Sequence, residues 1–239
     1  MSSLNLASLN FSERQELLAL LEEKERRTRT RRLQTYYPDT GPLRRELYPK
    51  HMEFFAAGAV HRERCFMAAN RVGKTEGAGG YEVALHLTGL YPDWWEGRRF
   101  DKPVNVMAAG DTGVTTRDII QTKLLGPFND LGTGLIPGDT ITGKRPKSGI
   151  PNAVDVATIR HVSGGDSLLQ FRAYADGRET FQGTERDVIW LDEEPPMDVY
   201  TECLLRTMTT NGIVLCTFTP LSGLTEVALA FLPHLRPEG

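Results

Sequence analysis

The stretch that decides the fold is Ala68-Ala69-Asn70-Arg71-Val72-Gly73-Lys74-Thr75. A short apolar run, Cys65-Phe66-Met67, precedes it, and a helical pattern over residues 76–87 follows it. A Gly-Lys-Thr turn between a strand and the N-terminus of a helix is typical of a phosphate-binding loop, the Walker A motif. The sequence therefore predicts a nucleotide site at this turn.

The residue types in the loop suit this chemistry. Backbone N–H groups would wrap the phosphates, and the positive end of the helix dipole favours their charge. Lys74 would reach the β- and γ-phosphates, while the Thr75 hydroxyl would hold Mg²⁺. One position departs from the usual pattern, because Ala68 stands where glycine eases close backbone approach to phosphate. The predicted nucleotide-binding residues of the loop are Ala69, Asn70, Arg71, Val72, Gly73, Lys74 and Thr75.

A second motif lies much later in the chain and reads Asp187-Val188-Ile189-Trp190-Leu191-Asp192-Glu193-Glu194. The pattern indicates a buried strand that ends in carboxylates, which is costly unless a cation or hydrogen-bond donors meet the acids. Asp192 is the predicted Mg²⁺ ligand. Glu193 is the predicted general base, which would polarise the attacking water. Together with the phosphate-binding loop, the pair predicts nucleotide hydrolysis.

The composition indicates an ordinary globular protein, and 239 residues suffice for one substantial α/β domain. A net charge of −3 gives no overall field that would attract nucleic acid. The three cysteines, Cys65, Cys203 and Cys216, lack metal-ligand spacing and are predicted core residues. The sequence shows neither a secretory signal pattern nor an apolar run long enough to cross a membrane, so a cytoplasmic location is expected.

The N-terminal region is predicted to be a charged helix. Ser12 is the predicted N-cap of a helix over residues 13 to about 32. Residues 22–32 carry six basic and three acidic side chains. This cluster indicates either a solvated helix face or flexible arm, or a contact with a phosphate backbone or an acidic neighbouring subunit.

Beyond this region, predicted strands alternate with helices, which favours a mainly parallel sheet with helices on both faces. Residues 154–162 and 168–175 are predicted to form a β-hairpin, and residues 126–153 an irregular excursion. The expected fold is a three-layer α/β P-loop domain of the RecA-like kind, with an N-terminal helical extension.

Four polar segments follow predicted strands. Ligands of parallel sheets bind outside the carboxyl ends of the strands, so we expect these segments to converge on one site. They are the phosphate-binding loop, Asp111-Thr112, Asp192-Glu193 and Thr217-Phe218-Thr219.

Three segments carry a family resemblance. They are Arg71-Val72-Gly73-Lys74-Thr75, residues 181–187 running into 190–196, and Thr217-Phe218-Thr219-Pro220-Leu221-Ser222-Gly223. In this order they resemble the ATPase domain of the large terminase subunit of tailed bacteriophages, the motor that pumps double-stranded DNA into a preformed capsid. The likeness covers roughly residues 45–225, and the combination is far more specific than any one segment.

The resemblance implies a role for several residues. Lys74 and Thr75 would bind phosphate and Mg²⁺, and Asp192 and Glu193 would hold the metal and activate water. Arg71 would act as a sensor or arginine finger within the subunit; the alternative is a simple ion pair with a nearby acid. The further implied residues are Thr217 or Thr219 as γ-phosphate sensor and coupling residue, Tyr48 and His51 on the adenine side, and Arg178, Arg186 and Arg206 as alternative fingers supplied to a neighbouring subunit.

The resemblance also implies an organisation and a set of partners. Residues 1–44 would form the N-terminal arm and linker, residues 45–232 the ATPase domain, and residues 233–239 a tail leading towards an absent nuclease domain. We therefore expect ATP and Mg²⁺ as cofactors and no nuclease activity from this polypeptide. The expected partners are double-stranded DNA, the portal protein and the small terminase subunit. The expected assembly is a homo-oligomeric ring on the procapsid, in the cytoplasm of the infected bacterium.

Two alternatives stay open at this point. A helicase- or remodeller-like ATPase shares the same core, and a scaffold that binds nucleotide without turnover would be consistent with Ala68. The DNA contacts are open as well. Residues 111–117 and Lys144-Arg145-Pro146-Lys147 are the candidates, and each could equally be a solvated loop. Trp94 and Trp95 are predicted to pack against a neighbouring loop.

Overall fold

The computed structural model of the protein describes residues 10–221 and 223–235. Residues 1–9 of the predicted arm, residues 236–239 of the predicted tail, and Ser222 of the third family segment lie outside the described residues. The division into residues 1–44, 45–232 and 233–239 stays a prediction.

A seven-stranded sheet forms the centre of the structure, in the order β1-β7-β6-β2-β5-β4-β3. The five strands from β1 to β5 in this order pair in parallel, whereas β4 pairs antiparallel with both of its neighbours. The predicted mainly parallel sheet is therefore confirmed. The strands are β1 (Glu63–Met67), β2 (Asn105–Gly110), β3 (Ile141–Pro146), β4 (Val154–Arg160), β5 (Asp166–Ala173), β6 (Val188–Asp192) and β7 (Ile213–Phe218).

Helices pack on both faces of this sheet, except that Phe11–Thr30 is largely exposed. None of the described helices is long and apolar enough to span a membrane. Two π-helical segments, Lys74–Gly80 and Thr116–Gln121, lead into α3 and α5. The α-helices are α1 (Phe11–Thr30), α2 (Pro49–Ala57), α3 (Tyr81–Thr88), α4 (Gly113–Thr115), α5 (Thr122–Leu125), α6 (Met197–Arg206) and α7 (Glu226–Phe231).

Alternate residues of each central strand enter different hydrophobic cores, as the twofold periodicity of a strand requires. Trp190 and Leu215 belong to a core shared with α2 and α3. Their neighbours Leu191 and Cys216 belong to a second core, shared with α6 and α7. The predicted three-layer arrangement is therefore confirmed.

The region between residues 126 and 153 contains an element that was not predicted. The antiparallel pair β4–β5 confirms the predicted hairpin, but β3 adds a further strand where only an irregular excursion was expected. The reason is composition. Ile141–Pro146 is mostly polar and ends in proline, which suits an edge strand with one side in water.

The start of α1 differs from the prediction as well. The Asn10 side chain accepts a 3.0 Å hydrogen bond from the Glu13 N–H, and the Glu13 carboxylate accepts one of 2.8 Å from the Asn10 N–H. This reciprocal capping box begins the helix at Phe11 and makes the predicted N-cap at Ser12 wrong.

The end of the predicted arm packs against the body of the protein. Leu33 and Tyr37 are each only 2% exposed and belong to the core beside α2 and α3. Two arginines of the basic cluster form ion pairs with aspartates of the same chain: Arg29 with Asp130 and Arg31 with Asp139. These pairs favour a structural role for Arg29 and Arg31.

Candidate functional site

The predicted phosphate-binding loop joins β1 to the π-helical segment. Two of its residues have a left-handed backbone, Arg71 with φ of 66° and Gly73 with φ of 83°. Glycine adopts this conformation freely, whereas it costs arginine energy. Turns of this kind direct successive N–H groups into a concave anion-binding surface. Residues 69–73 are all exposed, so a phosphate could approach them.

Lys74 lies across this loop and is only 6% exposed. Its amino group donates a 2.8 Å hydrogen bond to the Ala69 carbonyl and one of 2.7 Å to the Thr219 hydroxyl. The Thr219 oxygen is also 2.9 Å from the Ala68 carbonyl and 2.9 Å from Asn70 Oδ1. Thr219 therefore joins the end of β7 to the phosphate-binding loop.

Thr75 faces the acidic end of β6. Its hydroxyl lies 2.9 Å from Asp192 Oδ1 and 3.2 Å from Oδ2. From the other side, the Thr217 hydroxyl donates a 2.7 Å hydrogen bond to Asp192 Oδ1. The Trp190 indole N–H donates in turn to Thr217, at 2.8 Å. The structure therefore brings the two predicted metal ligands together and supports one of them through a buried chain of hydrogen bonds.

The electrostatics of Asp192 suit a cation. Burial raises the pKa of this carboxyl to about 7, against the opposing hydrogen bonds from Thr217 and Thr75. A buried carboxylate of this kind gains from a neighbouring cation. Its oxygens and the Thr75 hydroxyl are hard ligands, and Mg²⁺ commonly takes one or two protein ligands beside phosphates and water. The described residues contain no group of three or more His, Cys, Asp or Glu side chains that could form a protein-only metal cage.

Glu193 has a strained but firmly held backbone. Its φ of 63° is left-handed, which is rare for a residue with a side chain. The Glu193 N–H donates to the Thr217 carbonyl at 3.0 Å, and its carbonyl accepts from the Tyr174 hydroxyl at 3.1 Å. The side chain is exposed at the edge of the sheet. Strain that the surroundings maintain in this way is common at functional sites.

Tyr174 is a residue of this site that sequence reasoning missed. It is 6% exposed, and its hydroxyl lies 3.1 Å from the Asp192 carbonyl as well as from the Glu193 carbonyl. The tyrosine thus braces the backbone that carries both predicted catalytic acids. With Asp111 and Glu194 it also lines a cleft of about 450 Å³ at the same edge of the sheet.

The two predicted coupling residues differ in position. Thr217 is fully buried and supports Asp192, whereas Thr219 is half-buried and contacts the phosphate-binding loop and Lys74. Since Thr217 is closed off from solvent, direct contact with a γ-phosphate suits Thr219 better. Both residues adjoin the other predicted site residues.

Arg71 is exposed, and among the described residues its guanidinium forms no ion pair or hydrogen bond. The alternative of a simple ion pair therefore receives no support. Of the candidate fingers for a neighbouring subunit, Arg186 is buried at the amino end of β6, where it bonds Asn105 and Gln170. Arg206 lies at the same far edge, because its carbonyl accepts from the Arg186 N–H.

Arg178 is the finger candidate that follows a carboxyl strand end, that of β5. Its guanidinium is exposed and forms an ion pair of 2.9 Å with Glu202. Arg206 binds the same Glu202 carboxylate at 3.0 Å, so Arg178 and Arg206 lie close together. Of the three candidates, Arg178 has the most exposed side chain, whereas Arg186 is buried.

The predicted adenine-side residues lie on and before α2. His51 is 4% exposed, and both ring nitrogens bond within the protein, to the Tyr37 hydroxyl at 2.6 Å and the Val72 carbonyl at 3.0 Å. Tyr48 is half-buried and packs its ring on Tyr37 and His51. A base contact by either residue stays a prediction.

The candidate DNA-contact cations are largely paired with acids of the same chain. Arg117 bonds Asp118, Arg145 bonds Asp155, and Lys147 bonds Asp176. Within the described part of the chain, Lys144 forms no such pair and is exposed. Trp95 is buried and Trp94 is half-buried, stacked on Tyr81, in line with the packing role predicted for both.

Comparison with known proteins gives concordant results. Residues 65–236 match the family model of the terminase large subunit, T4likevirus type, N-terminal part. The large terminase subunit of Salmonella phage P22 is 36% identical over 249 residues, which cover 96% of this chain and 48% of that protein. The chain thus spans about half the length of this curated relative.

A solved structure shows the same fold. The large terminase of a thermophilic bacteriophage, solved in complex with ADP, aligns with a TM-score of 0.53 over 78% of this chain and 41% of that one. The identity between the two is 15%, so this likeness shows the fold alone.

Proposed function

Because the chain belongs to the family of phage terminase large subunits, we propose that it is the ATP-hydrolysing motor domain that drives double-stranded DNA into a procapsid. One observation carries the proposal above all others. Thr75 of the phosphate-binding loop and Asp192 of the acidic strand lie 2.9 Å apart, with Lys74 and Glu193 beside them. The large terminase of the thermophilic phage was solved with ADP, which supports an adenine nucleotide as the ligand.

The phosphate-binding loop would hold the nucleotide. Its exposed N–H groups and the N-terminus of the following helix would receive the phosphates. The Lys74 amino group would exchange its bonds to Ala69 and Thr219 for bonds to the β- and γ-phosphates. Thr75 and Asp192 would hold Mg²⁺, which when bound neutralises charge on the phosphate oxygens.

Glu193 would act on the attacking water. Its carboxylate would accept a proton from the water as the water oxygen bonds to the γ-phosphorus, and ADP would leave with the electron pair of the broken P–O bond. The fixed backbone of Glu193 would keep the carboxylate in one place, which is how positioning lowers a barrier. Arg71 would neutralise the charge that develops on the transferred group.

Thr219 would couple the γ-phosphate to the sheet. It contacts Lys74 and the loop at one end and continues into β7 at the other. Loss of the γ-phosphate would change these contacts and so shift the end of β7. We propose Thr219 as the sensor and Thr217 as the support of Asp192.

The remaining parts of the proposal follow from the family. The working assembly would be a homo-oligomeric ring on the procapsid in the host cytoplasm. Its partners would be double-stranded DNA, the portal protein and the small terminase subunit. Residues 45–232 would form the motor domain and residues 1–44 the arm.

Steady-state ATP hydrolysis with and without Mg²⁺ tests the proposal. Lys74→Ala should lower the rate at least about a hundredfold by removing a charge from the transferring phosphates. Lys102→Ala, a change at an exposed lysine outside the site, should leave the rate unchanged. ATP binding without turnover in the wild-type chain would favour a nucleotide-binding scaffold and contradict the proposal.

A further inference from the structure

Tyr37 is a buried residue at the end of the arm that contacts the phosphate-binding region directly. Its hydroxyl lies 2.7 Å from the carbonyl of Gly77, in the π-helical segment that follows the loop. The same hydroxyl lies 2.6 Å from His51 Nδ1. The hydroxyl proton thus has two acceptors, one on the loop helix and one on α2.

His51 carries the contact from Tyr37 to the loop itself. Its second ring nitrogen, Nε2, lies 3.0 Å from the Val72 carbonyl. A neutral imidazole can donate from one nitrogen and accept at the other. His51 can therefore donate to Val72 while it accepts from Tyr37, and burial favours this neutral form because it lowers the pKa of His51. This arrangement joins the arm to Val72, and a hydroxyl proton that points at the Gly77 carbonyl instead joins the arm to the start of the following helix.

The packing around these bonds is close. A Cβ atom on Gly77 would lie 2.9 Å from the Tyr37 hydroxyl and 3.0 Å from His51 Cε1. A Cβ atom on Gly73 would lie 3.1 Å from His51 Cε1. Gly73 and Gly77 therefore leave just enough room for the His51 ring and the Tyr37 hydroxyl. A side chain at either glycine position would displace these groups.

A second contact joins the same part of the arm to the residue next to Thr75. The Glu76 carboxylate accepts from the Arg32 guanidinium and the Tyr36 hydroxyl. Lys123 completes the cluster with a 2.5 Å ion pair to Glu76. Residues 32–37 therefore contact the start of the helix that follows the phosphate-binding loop at two places. One is the Gly77 carbonyl and the other is the Glu76 carboxylate.

We infer that residues 32–37 position the phosphate-binding loop for nucleotide, with Tyr37 acting through His51 as the central positioning residue. The inference rests on the proposed function, since it assigns to the arm a part in the binding of the same nucleotide. It also predicts that a change in the arm alters nucleotide affinity although no arm residue touches the phosphates.

Tyr37→Phe is the most direct test, because it removes the hydroxyl and keeps the ring. Tyr91→Phe is a matched control: the Tyr91 hydroxyl also bonds a histidine nitrogen, His86 Nδ1 at 2.8 Å, and a backbone group, the Phe100 N–H at 2.9 Å. Through these bonds Tyr91 contacts the far end of the helix that follows the loop, at His86 in α3, and neither the loop nor the start of that helix. The readouts are the Kd for a fluorescent ADP analogue in the presence of Mg²⁺, the KM and kcat for ATP, and the melting temperature.

Both variants should melt earlier, since each loses a hydroxyl group that bonds within the protein. Only Tyr37→Phe should weaken nucleotide binding, by about three- to tenfold, with KM rising more than kcat falls. Arg32→Gln should weaken binding in the same direction through Glu76. Equal affinity in Tyr37→Phe and wild type, or equal losses in Tyr37→Phe and Tyr91→Phe, would overturn the inference. Wild-type protein that binds no nucleotide would instead contradict the proposed function.

Discussion

The Thr217 hydroxyl donates a 2.7 Å hydrogen bond to Asp192 Oδ1, and both residues are closed off from solvent. The two side chains come from neighbouring strands, β7 and β6, which pair in parallel with Asp192 opposite Thr217. Because the hydroxyl also accepts from the Trp190 indole, its proton is free to point at the carboxylate. The side chain of Asp192, the proposed Mg²⁺ ligand, is thus oriented by Thr217 of β7, the strand between β1 and β6.

Thr217→Val should therefore destabilise the protein and impair metal use together. The substitution keeps the shape but leaves the Asp192 oxygen and the Trp190 N–H without this partner, which costs about 1–3 kcal/mol of unfolding free energy. The apparent KM for Mg²⁺ should rise, as measured by hydrolysis rate against Mg²⁺ concentration. Thr217→Ser keeps the hydroxyl and should lie close to wild type in both measurements. A valine variant with unaltered Mg²⁺ dependence would contradict this role.

Thr219→Val should slow ATP hydrolysis while it changes the stability of the protein very little. The residue is half-buried, so the unfolding free energy should change by no more than about 0.5 kcal/mol. The hydrolysis rate should fall about tenfold or more, because the valine lacks the hydroxyl that would contact the γ-phosphate. Chemical denaturation and ATP turnover measure the two effects, with Thr219→Ser as the control. A valine variant with wild-type turnover would remove Thr219 from the proposed sensor role.

Arg71→Ala should lower kcat by about a thousandfold and leave the Kd for ADP nearly unchanged, because the guanidinium would act on charge that develops only during transfer. Arg178→Ala is the comparison, since Arg178 has the most exposed side chain of the candidate fingers for a neighbouring subunit. With the finger in Arg71, the rate per subunit should not depend on protein concentration. A hydrolysis rate per subunit that rises with protein concentration and is lost in Arg178→Ala would show that a neighbouring subunit supplies the finger.

The contribution of His86 to the free energy of unfolding should fall as the pH drops below about 6.5. Burial lowers the pKa of His86 below its ordinary value of 6.5, even though the Glu82 carboxylate opposes this change. The unfolded chain then binds a proton more readily than the folded chain, so stability is complete above this pH and is lost below it. One such histidine contributes a slope of up to about 1.4 kcal/mol per pH unit.

Denaturation curves between pH 5 and pH 7.5, a range chosen to bracket the ordinary histidine pKa, measure this slope. His86→Gln should lose less stability on acidification than wild type, because the variant has no imidazole to protonate at this buried position. His61→Gln, a change at an exposed histidine, should leave the slope as in wild type. Equal slopes in all three proteins would exclude His86 as the source.

Local patterns predicted where the candidate site lies in this fold. The strand–loop–helix unit around Lys74 and the apolar strand ending at Asp192 each have a recognisable sequence, and the rule that ligands bind at carboxyl strand ends placed them together. The order of the strands is not encoded locally. That β7 lies between β1 and β6, and so brings Thr217 to Asp192, depends on packing of the whole sheet.

Other features could not be found because their signal lies in tertiary contacts. Tyr174 acts through the backbone carbonyls of Asp192 and Glu193, which any sequence would supply. Gly79 is required because the Trp190 ring occupies the space that a Cβ atom on this residue would take. The Gly77 and Tyr37 contact likewise joins segments 40 residues apart in sequence. Such contacts have no local periodicity to reveal them.

The measurement that tests the central claim most directly compares wild type with Glu193→Gln in ATP binding and in single-turnover hydrolysis. Glutamine keeps the size and the backbone of Glu193 but cannot accept the proton of the attacking water. The variant should bind Mg²⁺-ATP with an affinity within about twofold of wild type, and its hydrolysis step should slow by about a hundredfold or more. Wild-type hydrolysis in Glu193→Gln would contradict the assignment of Glu193 as general base and, with it, the proposed motor site.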